Sequence, residues 1–204
     1  MPDVYKTISA ISEGYVTEQR SKFLSFALPV RTPEEAKEKI DTFRKQHYSA
    51  RHVCWAYMLG AERMQFRAND DGEPSSTAGK PLLGVINSNE LTDIVIVVVR
   101  YFGGVKLGTS GLIAAYRAAA QDAVAHAEII EKTVDEEISV TFAYPFLNDV
   151  MKIVKDANPQ IVSQKFDMDC AMTLRIRKSE AGKLRDKLLK VKSLKMNDCG
   201  LSGK

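Results

Sequence analysis

Residues 94 to 99 read Ile-Val-Ile-Val-Val-Val, an unbroken β-branched apolar run, and no other stretch limits the possible folds as tightly. β-Branched side chains are stiff at χ1 and fit a pleated surface. Because the run is apolar at every position, neither face of the strand can be left to water. Asp93 to Arg100 is therefore expected to be a central strand covered on both sides. Six residues fall far short of the roughly 18 to 20 needed to cross a bilayer. The opening Met1-Pro2-Asp3-Val4-Tyr5-Lys6 has no apolar core of a signal peptide. The expected setting is the cytoplasm, with no membrane partner.

Around that strand, Ser12 to Val30 alternates in the manner of extended chain, with Phe23, Leu24, Phe26 and Leu28 apolar. Thr32-Pro33-Glu34-Glu35 has the form of a helix start: a hydroxyl N-cap, proline at the first position, then acids near the positive end of the dipole. Ala36, Ile40 and Phe43 follow at i, i+4 and i+7, a buried stripe on a helix reaching about His47. Arg51 to Leu59 and Gln65 to Ala68 read as strands. Residues 69–76, Asn-Asp-Asp-Gly-Glu-Pro-Ser-Ser, are dense in turn formers and read as a loop. Thr77 to about Ser88 reads as a helix with Leu82, Leu83 and Ile86 inward. Tyr101 to Gly111 reads as a glycine-rich loop before an alanine-rich helix from Leu112 to about His126.

A boundary is expected near Glu131 to Asp135, giving one domain over 1–132 and a second over 133–204. The second half reads strand (136–142), helix (144–156), strand (161–166), strand (171–177), helix (180–190) and strand (194–199). That βαββαβ order is the ferredoxin-like, split-βαβ arrangement. Its helices are expected to bury Phe146, Val150, Ile153 and Val154, and Ala181, Leu184, Leu188 and Val191. The fold class is α+β. Apolar content of 45% with 27% charged residues excludes disorder as an account of the whole.

Charge is uneven. Residues 1–132 hold 16 Lys and Arg against 16 Asp and Glu, whereas 133–204 hold 13 against 10. Arg177, Lys183, Lys187 and Lys190 stand in the most basic stretch, which suits either a solvated helix face or a polyanion such as RNA. Cys54, Cys170 and Cys199 are odd in number and widely spaced, so they form neither a disulfide framework nor a CxxC zinc site. Each is expected to be a small buried apolar residue.

Two segments could carry chemistry. In residues 100–112, Arg-Tyr-Phe-Gly-Gly-Val-Lys-Leu-Gly-Thr-Ser-Gly-Leu, glycines stand between a central strand and a helix start. Gly103, Gly104 and Gly108 permit positive φ and close backbone approach, and a helix start offers free N–H groups to an anion. Thr109 and Ser110 can cap the helix or bond a phosphate, and Lys106 supplies a charge. The spacing is neither that of a P-loop nor GxGxxG, and a tight turn with a capped helix fits equally. In the other segment, Asp70, Asp71 and Glu73 could hold a divalent cation through oxygen. The spacing is not that of an EF-hand, and Asp71 and Glu73 could instead offset the dipole at Thr77, with Ser76 as the cap. Lys80 and Arg100 could pair with them. No metal or cofactor is expected. His52 could serve as a base, but neither a Ser-His-Asp nor a Cys-His arrangement is present.

Asp70-Asp71-Gly72-Glu73-Pro74 with Thr77-Ala78-Gly79 and Pro81, followed by Val98-Val99-Arg100-Tyr101-Phe102-Gly103-Gly104 and Lys106-Leu107-Gly108, resembles the paired signature of the YigZ/IMPACT family. Ser21-Lys22-Phe23 and Ala50 with His52 match its weaker motifs, so the likeness spans nearly all of residues 10–130. The second half resembles the C-terminal domain of the prokaryotic members. Ser76 and Ser110 stand where the family usually has glycine, and Ala114 where it has arginine. Arg117, one turn along the helix, could replace that arginine.

The resemblance implies an N-terminal α/β sandwich similar to elongation factor G domain IV, a small-subunit ribosomal protein domain and the GHMP kinases. It implies a C-terminal domain similar to domain V of elongation factor G. It also implies a non-catalytic, translation-linked regulator. The expected partners are RNA, the ribosome or a translation-control protein, contacted by Arg20, Lys22, His52, Lys80, Arg100 and Lys106 and by the basic C-terminal helix. The alternative is an enzyme or ligand-binding protein that holds a phosphate-bearing small molecule at the glycine segment. An RRM-type aromatic signature is missing, so stacking-based base readout is not expected.

Overall fold

The β-branched run forms β6 (Ile94–Tyr101) in a computed structural model that describes residues 3–197. It is the middle strand of a five-stranded sheet. β3 (Ser21–Pro29) and β4 (His52–Leu59) flank it, and β2 (Ser12–Glu18) and β5 (Gln65–Asn69) lie outside them. Every neighbouring pair is antiparallel. Alternate residues of β6 serve two different cores. Ile94, Ile96 and Val98 pack with Phe23, Cys54 and Met58 beneath α2 (Gly79–Ser88) and α3 (Gly108–Ala125). Val95, Val97 and Val99 pack with Phe26, Val53 and Tyr57 beneath α1 (Pro33–Gln46). Each fully buried side chain of this kind is worth roughly 1.5–3 kcal/mol, and the helices on both faces are what the apolar run requires.

α1 starts as its sequence demands. The Thr32 hydroxyl accepts from the Glu35 N–H at 3.1 Å, and Glu35 accepts from the Arg31 N–H at 2.7 Å. Ala36, Ile40 and Phe43 are buried, and Phe43 stacks on Phe26 with ring centroids 4.3 Å apart. The extended stretch from Ser12 to Val30 divides into two strands. Gln19 (φ 43°) and Arg20 (φ 67°) form the two-residue turn between paired Glu18 and Ser21. Positive φ at both positions matches the right-handed twist of a hairpin, but neither residue is the glycine or asparagine that would announce it. β1 (Val4–Ile8) forms a separate two-stranded sheet with β7 (Ile129–Thr133), a pairing between distant segments with no local signal.

By its internal contacts the chain divides into units of residues 1–132 and 133–204. The second unit contains β8 (Asp135–Ala143), a short 3-10 turn (Tyr144–Phe146), α4 (Leu147–Ala157), β9 (Gln160–Lys165), β10 (Asp169–Arg177), α5 (Lys178–Leu188) and β11 (Lys195–Asn197). Its antiparallel sheet has the order β11-β8-β10-β9. Val150, Val154, Ala181, Leu184 and Leu188 are buried against Ile138, Val140, Met172 and Leu174. Phe146, Ile153 and Val191 are only half-buried; Phe146 lies in the 3-10 turn and Val191 beyond the end of α5. Cys54 and Cys170 are free and buried. Cys199 and the far end of the expected last strand lie outside the described residues. No helix among the described residues is long and apolar enough to cross a membrane.

Candidate functional site

The acidic segment folds as two consecutive turns. Glu73 N–H donates to the Asp70 carbonyl at 3.0 Å, with Asp71 (φ 45°) and Gly72 (φ 85°) between them, a type I′ turn. Thr77 N–H then donates to the Pro74 carbonyl at 3.1 Å, with Ser76 at φ 64° in the third position. That φ is left-handed and favours glycine, the residue that the family resemblance implies at 76. Ser110 is not among the positive-φ residues, so serine there carries no such strain.

The three carboxylates aim at three different sets of partners. Asp70 accepts from the backbone N–H groups of Ser76, Ala78 and Gly79 at 2.8–2.9 Å, and so closes the start of α2. Asp71 accepts from Arg44 at 2.6 Å and from the Val53 N–H at 2.7 Å. Glu73 accepts from Arg100 at 2.5 Å and from the Tyr116 hydroxyl at 2.8 Å. α2 thus begins at Gly79 rather than Thr77, and its cap is Asp70 rather than Ser76, whose side chain makes no cap bond. Asp71 and Glu73 serve the sheet and its buried ion pair rather than the helix dipole. Thr77 turns its hydroxyl to the Pro74 carbonyl at 2.6 Å. No cluster of three or more metal-ligating side chains occurs among the described residues.

Glu73 and Arg100 are nearly fully buried, at 9% and 4% exposure. Arg100 also reaches Ser21 at 3.4 Å and lies over Phe23 and Phe102, 5.4 and 5.5 Å from their ring centroids. Its Nε has no partner. His52 Nε2 sits 3.8 Å from the Glu73 carboxylate, while Nδ1 is 2.8 Å from the Asp71 carbonyl. A carbonyl only accepts, so Nδ1 carries the proton and Nε2 faces Glu73. Behind this pair, Cys54 Sγ lies 3.0 Å from the Asp70 carbonyl and 3.3 Å from the Tyr116 hydroxyl. Burial, more than the nearby carboxylates, pushes the Cys54 thiol far above its ordinary pKa. Burial and then Cys54 do the same to Tyr116. A thiol held protonated is not a nucleophile.

The glycine segment is shorter than its sequence suggests, because α3 begins at Gly108 and takes in Thr109, Ser110 and Gly111. A Cβ at Gly103 would lie 2.1 Å from the Arg20 carbonyl carbon, so only glycine lets this segment pass the hairpin tip. Gly103 N–H donates to Ser21 Oγ at 3.2 Å. Gly104 (φ 88°) and Gly108 (φ 70°) adopt left-handed backbone. Neither Thr109 nor Ser110 caps α3; its start has no side-chain cap bond and no acid in the first turn. Where the segment meets the buried ion pair, a cavity of about 380 Å³ opens, lined by Arg51, His52, Glu73, Arg100, Phe102, Lys106, Gly108 and Thr109 among others.

The expected site residues are therefore distributed over three clefts. His52, Arg100, Lys106, Gly108 and Thr109 line the cavity. Arg20 and Lys22 line a second cleft of about 470 Å³ with Tyr15 and Tyr101, and Phe102 belongs to both. Lys80 and Arg117 line a groove of about 550 Å³ between α2 and α3, with Ser76 and the half-buried Leu83. Lys183, Lys187 and Lys190 are exposed on or just beyond α5, and Arg177 is its N-cap residue. Sequence reasoning missed Tyr116, Ser21, Arg44 and Phe102. Phe102 and Ser21 had signals, the one an aromatic residue directly before two glycines and the other the Ser21-Lys22-Phe23 motif; Tyr116 and Arg44 had none.

These features define a two-domain α+β protein with a strand-to-helix cavity whose charges are largely basic. The chain belongs to the IMPACT family: the Impact N-terminal domain matches residues 19–124. It is 36% identical over 153 residues to the IMPACT family member YvyE of Bacillus subtilis, covering 75% of this chain and 70% of that one. To YigZ of Escherichia coli it is 32% identical over 150 residues, covering 72% and 74%. A crystal structure described as that of a hypothetical protein superposes with a TM-score of 0.74 at 26% identity, covering 96% of this chain and 97% of the other.

Proposed function

We propose that the protein is a non-catalytic, translation-linked regulator that grips RNA phosphates, in the cytoplasm and on or near the ribosome. The translation link follows from the family resemblance. The observation that carries RNA as the partner is the pair of adjoining clefts that share Phe102. One presents Arg51 and Lys106, the other Arg20 and Lys22, and the exposed Phe102 ring stands between them. Cations in sequence with an intervening aromatic ring suit a single strand better than a compact ligand. The exposed lysines of α5 offer a second set of phosphate contacts. The sheet covered on both faces and the βαββαβ second unit support a likeness to elongation factor G domains IV and V, a likeness of fold rather than of function.

The test is co-sedimentation with ribosomes and with total RNA across a salt series. Binding is expected to weaken steeply with salt, since each phosphate contact to a single strand adds about 0.7 to the logarithmic slope. Arg20→Glu with Lys22→Glu, and Lys187→Glu with Lys190→Glu, should each flatten that slope. Absence of binding at low salt would end this reading. A stoichiometric complex with a protein, insensitive to salt, would point to a translation-control partner instead.

A further inference from the structure

The cavity at the start of α3 differs from the neighbouring cleft in having a buried floor. Arg100, Glu73 and Leu112 form it, at 4%, 9% and 5% exposure. An internal phosphodiester enters and leaves its site along the strand and needs an open trough. A terminal phosphate needs only one way in, and about 380 Å³ is enough for a nucleotide-sized group.

The charges fit a dianion. Arg51, Arg100 and Lys106 outweigh the single carboxylate of Glu73, which already accepts from Arg100 and Tyr116. The Arg51 N–H donates to the Arg100 carbonyl at 3.0 Å, which holds the two residues side by side. α3 is 18 residues long and opens into the cavity through Gly108 and Thr109 with no capping side chain and no acid in its first turn. A second observation is independent of the helix. Arg51 and Lys106 line the cavity with exposed side chains that form no ion pair with a carboxylate among the described residues, so their charge is left for an anion.

We propose that this cavity seats a terminal phosphate monoester, the charged end of a nucleotide or of an RNA strand. A monoester carries about 1.5 to 2 negative charges near neutral pH and offers three acceptor oxygens. Lys106, Arg51 and the N–H groups at the start of α3 are its donors. As applied to RNA, the inference rests on the reading above; as applied to a free nucleotide, it does not.

The experiment measures binding of the full chain to a short 5′-phosphorylated RNA, to the same RNA with a 5′-hydroxyl, and to a nucleoside 5′-monophosphate. The phosphorylated strand is expected to bind about tenfold tighter or more, as charge-assisted hydrogen bonds to the extra phosphate require, and the monophosphate to compete with it. Thr109→Glu places a carboxylate at the exposed start of α3, where it favours the helix, so the variant should fold with an unchanged or raised Tm. It should abolish the preference for the phosphorylated end, and Lys106→Gln should reduce it. Equal affinity for both RNAs overturns the terminal-phosphate seat and leaves the RNA reading standing. Binding of the monophosphate with neither RNA bound supports the seat and removes the RNA reading. No binding of any probe overturns both, and a preference that persists in folded Thr109→Glu overturns the cavity as its seat.

Discussion

Residues 70–79 and 103–111 are the two motif segments of the N-terminal unit, and each leads from a strand toward a helix. In the first, Asp70 closes the start of α2, Asp71 ties Arg44 to β4, and Glu73 neutralises Arg100. In the second, α3 starts without a cap, Lys106 and Thr109 are exposed, and the buried Arg100 beside them retains a free Nε. One segment consumes its polar groups in building the fold, whereas the other leaves them facing a cavity. Similar density of motif residues therefore does not imply a similar role: changes in the acidic segment should register in stability, and changes in the glycine segment in binding.

The largest expected effect is that of Arg100→Met, which strands a buried carboxylate. It should cost about 3–5 kcal/mol in urea unfolding, and a cost below 1 kcal/mol would mean the acidic segment is not structural. Asp70→Ala removes the acceptor of three backbone N–H groups and should cost about 3 kcal/mol by the same measurement. Alkaline pH comes next. The folded-state pKa values of Cys54 and Tyr116 are raised, so their contribution is complete below the unfolded values and lost as pH rises above them. For a thiol with an ordinary pKa near 8.5, the loss should reach roughly 2 kcal/mol by pH 10, and Cys54→Ala should remove most of that dependence. Ser76→Gly relieves a left-handed serine and should gain about 0.5–1 kcal/mol in thermal unfolding. Lys106→Gln should move stability by less than about 0.5 kcal/mol while weakening RNA binding. A Lys106 variant that unfolds the protein would dissolve the distinction between the segments.

What the sequence made legible was local. The run at 94–99 has one physical solution, and Thr32 to Phe43 contains its own start signal and stripe. Lys80 and Arg100 were both allowed as partners of the acids; Arg100 takes Glu73, and Lys80 lines the groove between α2 and α3 instead. Arg100's choice of Glu73, and the closing of both around Tyr116, depend on residues 27 and 43 positions from Glu73 that no periodicity connects. Asp70 was misread because it caps from six to nine residues upstream, across a double turn, rather than from the N-cap position. The Gln19-Arg20 hairpin was hidden because its positive φ angles are borne by residues that usually avoid them. Lys80 was expected on the same face as Arg100 and Lys106, but the packing of α2 against α3 puts it in a separate groove with Arg117.

The position of β6 also sets the order in which the chain can fold as it is made. β3 and β4 are complete by Leu59, yet they are not partners; each pairs with β6, which ends at Tyr101. Until that strand emerges, two apolar strands present open edges, and the core beneath α3 is unfinished until Ala125. Long-range pairing of this kind is slow and leaves nascent chains prone to association. A chain stalled between residues 60 and 93 would therefore be the species most dependent on chaperones.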